Sequence, residues 1–378
     1  MKTMFDKTEQ FPDKKLLLII LALLAFGWIM SSSASVGHFG DFSKTIKQGG
    51  FILVGISIGF FVLKLPLHLF KKYADYAFVL TLILLAIVLL PDPIGRTVNG
   101  SRRWINLVYF GFQPSEMMKL VMILFMAKFL VTQEKEVASS WIGLVKAAII
   151  VGLAGLLIML ETDLGATVII TATALIMLFL AGSYIKQLFI IGSGLLTLVG
   201  VYVYFDPVRL YRLMSFWTND LWGENGVLQT RQALIGIARG DWTGVGLGAG
   251  IQKYSRLPEP HTDMIFAITG EELGIMGMLF ILFAFVYALN RGFNIAAQAL
   301  TDGRKYSYYV AYGICTWFAL QISVNIAMNI GLFPIKGYTL PLISYGGSSM
   351  IFSIIALALL LRIDMENKTN YKKRKHYV

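Results

Sequence analysis

An all-α integral membrane protein of ten transmembrane helices, with a long exoplasmic loop between helices 7 and 8, is the fold class that the sequence predicts. Three observations predict it. The 378 residues are 56% hydrophobic and 15% charged, with a mean hydropathy of +0.68, a composition of multi-span proteins rather than of soluble domains. Apolar runs near the length a helix needs to cross a bilayer recur at 15–35, 49–65, 75–91, 116–132, 141–160, 165–182, 185–205, 265–289, 307–330 and 341–362. One segment, 206–264, breaks the series of short connections. The chain therefore reads as a single polytopic domain over 1–378, with a large extracytoplasmic loop at 206–264 and a basic cytoplasmic tail at 363–378.

The first span follows Lys14-Lys15 and ends near Ser33-Ala34-Ser35, which alone resembles a signal peptide with a small-residue cleavage site. Nine further spans favour an uncleaved helix. An even number of spans puts both termini on one side. Of the 33 Lys and Arg, 20 fall on that side, 12 on the other and Lys119 within the membrane. Six of the 12 lie in the long loop, which translocates regardless of charge, so the comparison is 20 against 6 and both termini are expected in the cytoplasm.

The net charge of +11 does not indicate nucleic acid. Basic residues sit beside helix ends, as in the tail Lys372-Lys373-Arg374-Lys375, where anionic lipid headgroups are the expected partners. Cys315, the single cysteine, lies in the ninth span, so neither a disulfide framework nor a thiolate metal site is available, and it reads as a small buried residue.

The long loop is too aromatic for disorder: Tyr211, Phe216, Trp217, Trp222, Trp242 and Tyr254 are apolar anchors, and six acidic residues balance six basic ones. A folded interfacial lid is expected, with a short amphipathic helix around 228–239. Its run Gly244-Val-Gly246-Leu-Gly248-Ala-Gly250 resembles a phosphate cradle. No strand precedes it and no Lys-Ser/Thr follows, so a backbone turn is the preferred reading.

Chemistry-bearing residues concentrate where loop meets helix. Leu257-Pro-Glu259-Pro-His261-Thr-Asp263 leads into an apolar helix that carries Glu271-Glu272-Leu-Gly274. Carboxylates at a hydrocarbon boundary are costly to desolvate and mark a functional site, with Asp263 the foremost candidate. A second cluster holds Arg96, Arg102 and Arg103 at headgroup level, suited to phosphate contact or to snorkelling. It continues through Gln113-Pro114-Ser115-Glu116 to Lys119, where Glu116 and Lys119 share a helix face and can pair. Asp163, in Glu161-Thr-Asp163-Leu-Gly165, either lines a cavity or caps the sixth helix.

Gln321, Asn325 and Asn329 form a polar stripe that must face protein or water, and a re-entrant segment plausible for closing a cavity follows, from Gly331 through Lys336 to Ser344-Tyr345-Gly346-Gly347-Ser348-Ser349.

These pieces, NGSRRWI, QPSEMMKL, ETDLGAT, GVGLGAGIQKYSRLPEPHTDMIFAITGEELG and NIGLFPIKGYTLPLISYGGSS, together resemble the SEDS family (shape, elongation, division, sporulation) over nearly the whole chain. Gln252-Lys253 and the Lys336–Ser349 run resemble the division branch more than the elongation branch. Met264 stands where the family usually has an aromatic and Pro260 where Ala or Gln is common; neither change removes a chemical group.

The resemblance implies a ten-span peptidoglycan glycosyltransferase of the cytoplasmic membrane that polymerises lipid II on its outer face, with Asp263 catalytic. An acceptor hydroxyl would attack the anomeric carbon of the donor, displacing undecaprenyl pyrophosphate with inversion, while Asp263 takes the proton. Pyrophosphate is a good leaving group, so one carboxylate suffices. Arg102, Arg103, Lys336 and Ser348 are the candidates at the pyrophosphate, alongside a magnesium or manganese ion that the substrate carries; no other cofactor and no protein metal site is expected. Glu116, Lys119, Asp163, Glu259, His261 and Glu272 are the supporting residues. Expected partners are lipid II, a class B penicillin-binding transpeptidase and membrane proteins of the division septum. A lipid II flippase, an elongation-type polymerase and a membrane scaffold are the alternatives.

Overall fold

The computed structural model describes residues 11–91, 94–98, 101–107, 110–207, 210, 214, 228–254 and 257–376. A helix lies on each of the ten expected segments: α1 (Lys14–Phe39), α2 (Ser43–Lys64), α3 (Leu67–Val88), α4 (Pro114–Thr132), α6 (Trp141–Leu160), α7 (Leu164–Leu180), α8 (Ile185–Tyr204), α10 (Ile265–Thr301), α11 (Lys305–Asn329) and α12 (Gly347–His376). Among the described residues two short helices join them, α5 (Glu134–Ser139) and the expected loop helix α9 (Leu228–Gly240). Seven of the ten, α1, α2, α6, α8, α10, α11 and α12, are long and apolar enough to cross a membrane by length and composition alone.

Local chemistry explains the ends. Asp13 caps α1 by accepting from the Lys15 and Leu16 amides, and Gly40 closes it in the left-handed region. Pro114 occupies the first turn of α4, where its missing N–H costs nothing. Several boundaries differ from expectation. Helix α3 starts at Leu67 because the Glu366 carboxylate accepts the Leu67 amide. Helix α10 runs on to Thr301, and the basic tail continues α12 to His376 rather than leaving it.

The helical fold gains a small sheet on the loop side. Strands β1 (Gly95–Val98), β2 (Ser101–Leu107) and β3 (Phe110–Phe112) pair antiparallel in the order β1-β2-β3, with a bulge between Arg96 and Thr97. Asn99-Gly100, the strongest two-residue hairpin signal, stands between β1 and β2 in the sequence.

Helix α12 packs along α2, α10 along α11, α3 along α4, and α9 lies on α10. Glycines permit the closest approaches: a Cβ on Gly55 would meet Ile354, and one on Gly27 would lie 2.4 Å from the Leu342 carbonyl oxygen. The start of α1 and the C-terminal part of α12 meet on one face, where Arg291 pairs with Asp13 and the Lys368 ammonium donates to the Phe11 carbonyl. Helix α8 buries none of its side chains.

Helix α10 is broken. Gly274 has φ 65° and ψ −165° inside it, and residues 241–246 lie in the gap. The Val245 and Gly246 amides donate to the carbonyls of Glu271 and Glu272, while the Ile275 and Met276 amides donate to those of Asp241 and Trp242. The glycine run is therefore a backbone device, as preferred from sequence.

Gly244 tests the fit. It has φ +79°, and a Cβ there would lie 2.1 Å from the Glu272 carbonyl oxygen; Gly248 has φ +84° with open space around it. A left-handed conformation alone costs a side chain about 1–2 kcal/mol. Gly248→Ala should lose that much, and Gly244→Ala clearly more, read as a larger fall in the detergent melting temperature.

Candidate active site

The turn 257–264 is fixed by its backbone. Glu259 adopts φ 51°, rare for a side-chain-bearing residue. The His261 carbonyl accepts from the Tyr345 amide at 2.8 Å, and the Thr262 carbonyl accepts from the Ser344 hydroxyl at 2.6 Å. Gln48 of α2 in turn holds both the Ser344 carbonyl and the Gly346 amide. The segment 337–346 is non-helical, so the last helix starts at Gly347 rather than at 341 as expected, and the segment clamps the turn that carries Asp263.

Asp263 is partly buried and faces Gly337, where a Cβ would sit 3.4 Å from Oδ2. Burial pushes its carboxyl up to about 7, Glu259 and Asp163 add to the effect, and Arg103 and the Thr262 hydroxyl oppose it. Glu259 accepts from the Thr262 hydroxyl at 3.1 Å. His261 is buried, and burial, then the charge of Lys44 and the neighbouring His38, hold its imidazole down at about 4. It is neutral at physiological pH, packed among the rings of His38, Phe39 and Tyr345, and offers no positive charge to a phosphate.

Arg103 donates to the Thr162 carbonyl at 2.8 Å and stands 3.9 Å from Asp163. Of the two roles expected of Asp163, the structure shows the helix cap. One oxygen caps α7 at the Ala166 amide, and the other accepts from Gln113 and the Ser115 hydroxyl, close enough to Asp263 for its charge to be felt there. Glu161 was not among the candidates. It is fully buried, neither carboxylate oxygen has a hydrogen-bond partner, and burial followed by the charge of Asp163 pushes it up to about 9. Arg102 points elsewhere: its guanidinium donates to the Leu89 carbonyl and Thr97, holding the sheet against α3. Ser348 accepts from the Gln113 amide, and Lys336 lies next to Gly337 in the clamping segment.

Glu116 and Lys119 pair at 2.8 Å, and Lys119 also reaches Gln321, which bonds Trp317 and Thr339. This buried network lies in the bundle rather than on the Asp263 turn. Glu272 likewise belongs to the helix break: it accepts from Lys253 at 2.6 Å, from Ser33 and from the Gly248 amide, while Glu271 accepts from Arg239 and the Ile251 and Gln252 amides. Lys253 and Arg239 were missed from sequence because their partners are remote in the chain. Trp242 and Tyr254 are exposed, as interfacial anchors are; Tyr211, Phe216, Trp217 and Trp222 lie outside the described residues. Among the described residues no group of three or more His, Cys, Asp or Glu is arranged to hold a metal.

A bundle with seven helices long and apolar enough to cross a membrane defines an integral membrane protein. The family described as cell cycle protein, FtsW/RodA/SpoVE, matches residues 14–369, and the chain belongs to it. It is 40% identical over 378 residues to the probable peptidoglycan glycosyltransferase FtsW of Allochromatium vinosum, covering 96% of this chain and 93% of that one. It is 40% identical over 363 residues to the protein of the same name from Legionella pneumophila, covering 94% and 91%. The fold matches a chain solved under the description of a peptidoglycan synthase complex that coordinates polymerization and crosslinking, with TM-score 0.78 at 24% identity and coverage of 94% and 98%. It also matches the rod shape determining protein RodA of Thermus thermophilus, with TM-score 0.70 at 24% identity and coverage of 94% and 97%.

The Lys253–Glu272 pair is 2% and 0% exposed. Leaving one buried charge unpaired costs about 3–5 kcal/mol, whereas an isosteric neutral pair restores balance. Lys253→Met or Glu272→Gln alone should lower the melting temperature sharply, and the double substitution should recover most of the loss.

Proposed function

We propose that this protein is a peptidoglycan glycosyltransferase that polymerises lipid II at the outer face of the cytoplasmic membrane, for septal wall synthesis. The observation that carries the reading is Asp263, a carboxyl raised to about 7 on a turn fixed at both carbonyls before it. Such a group is ionised in part near neutrality yet basic enough to take a proton, which is the property of a general base. The names of the FtsW relatives support the activity. The surplus of basic residues on the face where the start of α1 and the C-terminal part of α12 meet supports cytoplasmic termini.

In this reading the acceptor hydroxyl loses its proton to Asp263 as its oxygen attacks the donor's anomeric carbon, and undecaprenyl pyrophosphate departs from the opposite face. Lys336 or a magnesium or manganese ion borne by the pyrophosphate would supply positive charge to the leaving group, while Arg103, bonded to the Thr162 carbonyl beside Asp163, stays on the carboxylate side. Arg102 is not available for that task in the geometry described above. A polymerase alone leaves strands uncrosslinked. The partner is a class B penicillin-binding transpeptidase, a reading that the likeness to a synthase complex supports.

Asp263→Asn, with its fold checked by melting temperature, should abolish glycan formation from labelled lipid II. A mutant that polymerises normally would remove the base assignment; lipid II crossing vesicles without polymerisation would replace the transferase by a flippase. Because the ionised form is the base, kcat should rise with pH through a midpoint near 7. A profile flat from pH 6 to pH 8, within about twofold, would contradict it.

A further inference from the structure

The polar stripe of α11 ends on the catalytic turn. Asn329, fully buried, donates from Nδ2 to the Asp263 carbonyl at 2.9 Å and accepts on Oδ1 from the Ala267 amide at 3.0 Å. Those two backbone groups are four residues apart. In a continuous helix they would bond to each other. The Asn329 carboxamide is inserted between them like an extra peptide unit, and α10 begins only at Ile265. Asn325, also fully buried, donates to the same Asp263 carbonyl at 3.0 Å and to the Tyr338 carbonyl of the clamping segment.

We propose that Asn325 and Asn329 are positioning residues of the reaction: by filling both lone pairs of the Asp263 carbonyl and separating it from the Ala267 amide, they hold Asp263 off the helix and aim its carboxylate at the acceptor hydroxyl. The inference rests on Asp263 as the base. Removing the Asn329 side chain lets the Ala267 amide bond the Asp263 carbonyl directly. Helix α10 then gains a turn, few backbone groups are left unpaired, and the carboxylate swings with its backbone. A displacement of about 1 Å costs a reacting group on the order of a hundredfold in rate.

The test uses the full chain with its transpeptidase partner and labelled lipid II. Asn329→Ala should lower kcat by about ten- to a hundredfold with KM changed less than about twofold, and the Ala267 amide should stay protected from hydrogen exchange. Asn329→Gln keeps both the donor and the acceptor and should lie between Ala and wild type, which guards against an Ala variant that folds poorly. Wild-type kcat in Asn329→Ala, a loss carried by KM, or a Gln variant no better than Ala would each overturn the proposal. Asp263→Asn is run beside them. If it is inactive while Asn329→Ala is fully active, only the positioning role falls; if Asp263→Asn is active, the base assignment falls first and the positioning role with it.

Discussion

A helix interrupted at a membrane boundary leaves amides and carbonyls that water cannot reach, each costing several kcal/mol if unpaired. In α10 the interruption at Gly274 is closed by another piece of backbone. Two amides from the loop enter, two of its carbonyls receive, and the carboxylates of Glu271 and Glu272 turn back to take three more loop amides together with Arg239 and Lys253. The rest of the loop-side end depends on that closure. It ties α9, the glycine run and, through Ser33, helix α1 to the segment that carries Asp263, and it explains why the interface consists of glycines facing one another at 240, 244, 270 and 274.

With the loop fixed to α10 on one side, the Asp263 turn is fixed on the other by the non-helical segment 337–346 and the end of α11. Both contacts run through backbone carbonyls, so the carboxylate of Asp263 is left for chemistry while its main chain has no freedom. The electrostatics follow from the same placement. Burial, with Glu259 and Asp163 in support, raises Asp263, and the same burial keeps His261 neutral beside it.

The helices were readable in the sequence because a bilayer demands long apolar runs, and each of the ten segments carries one. Asp263 stood out as a candidate because a carboxylate at a hydrocarbon boundary is expensive. What escaped was of two kinds. The sheet at 95–112 escaped although Asn99-Gly100 announced it, because the surrounding arginines drew attention to phosphate chemistry; one of them, Arg102, is a bracket for that sheet. The partners of Glu271 and Glu272 escaped because pairing across an irregular loop, 19 residues to Lys253 and 32 to Arg239, or across 239 residues to Ser33, leaves no trace in helical spacing. The asparagine stripe was visible as a stripe. Its purpose was not, since nothing in a period of four says that the last amide enters another helix.

Charge inside the bundle is balanced pair by pair: Glu116 with Lys119, Glu271 with Arg239, Glu272 with Lys253, Asp13 with Arg291. Around Asp263 the balance fails, with Glu259 and Asp163 near enough to act on it and Arg103 opposing. An excess of carboxylates would repel a pyrophosphate placed against them. In an in-line displacement the base and the leaving group lie on opposite faces of the attacked carbon, so the conflict disappears if this side receives the acceptor hydroxyl. In the proposed reaction the same excess would serve Asp263 directly, since the neighbouring negative charges of Glu259 and Asp163 raise its affinity for a proton.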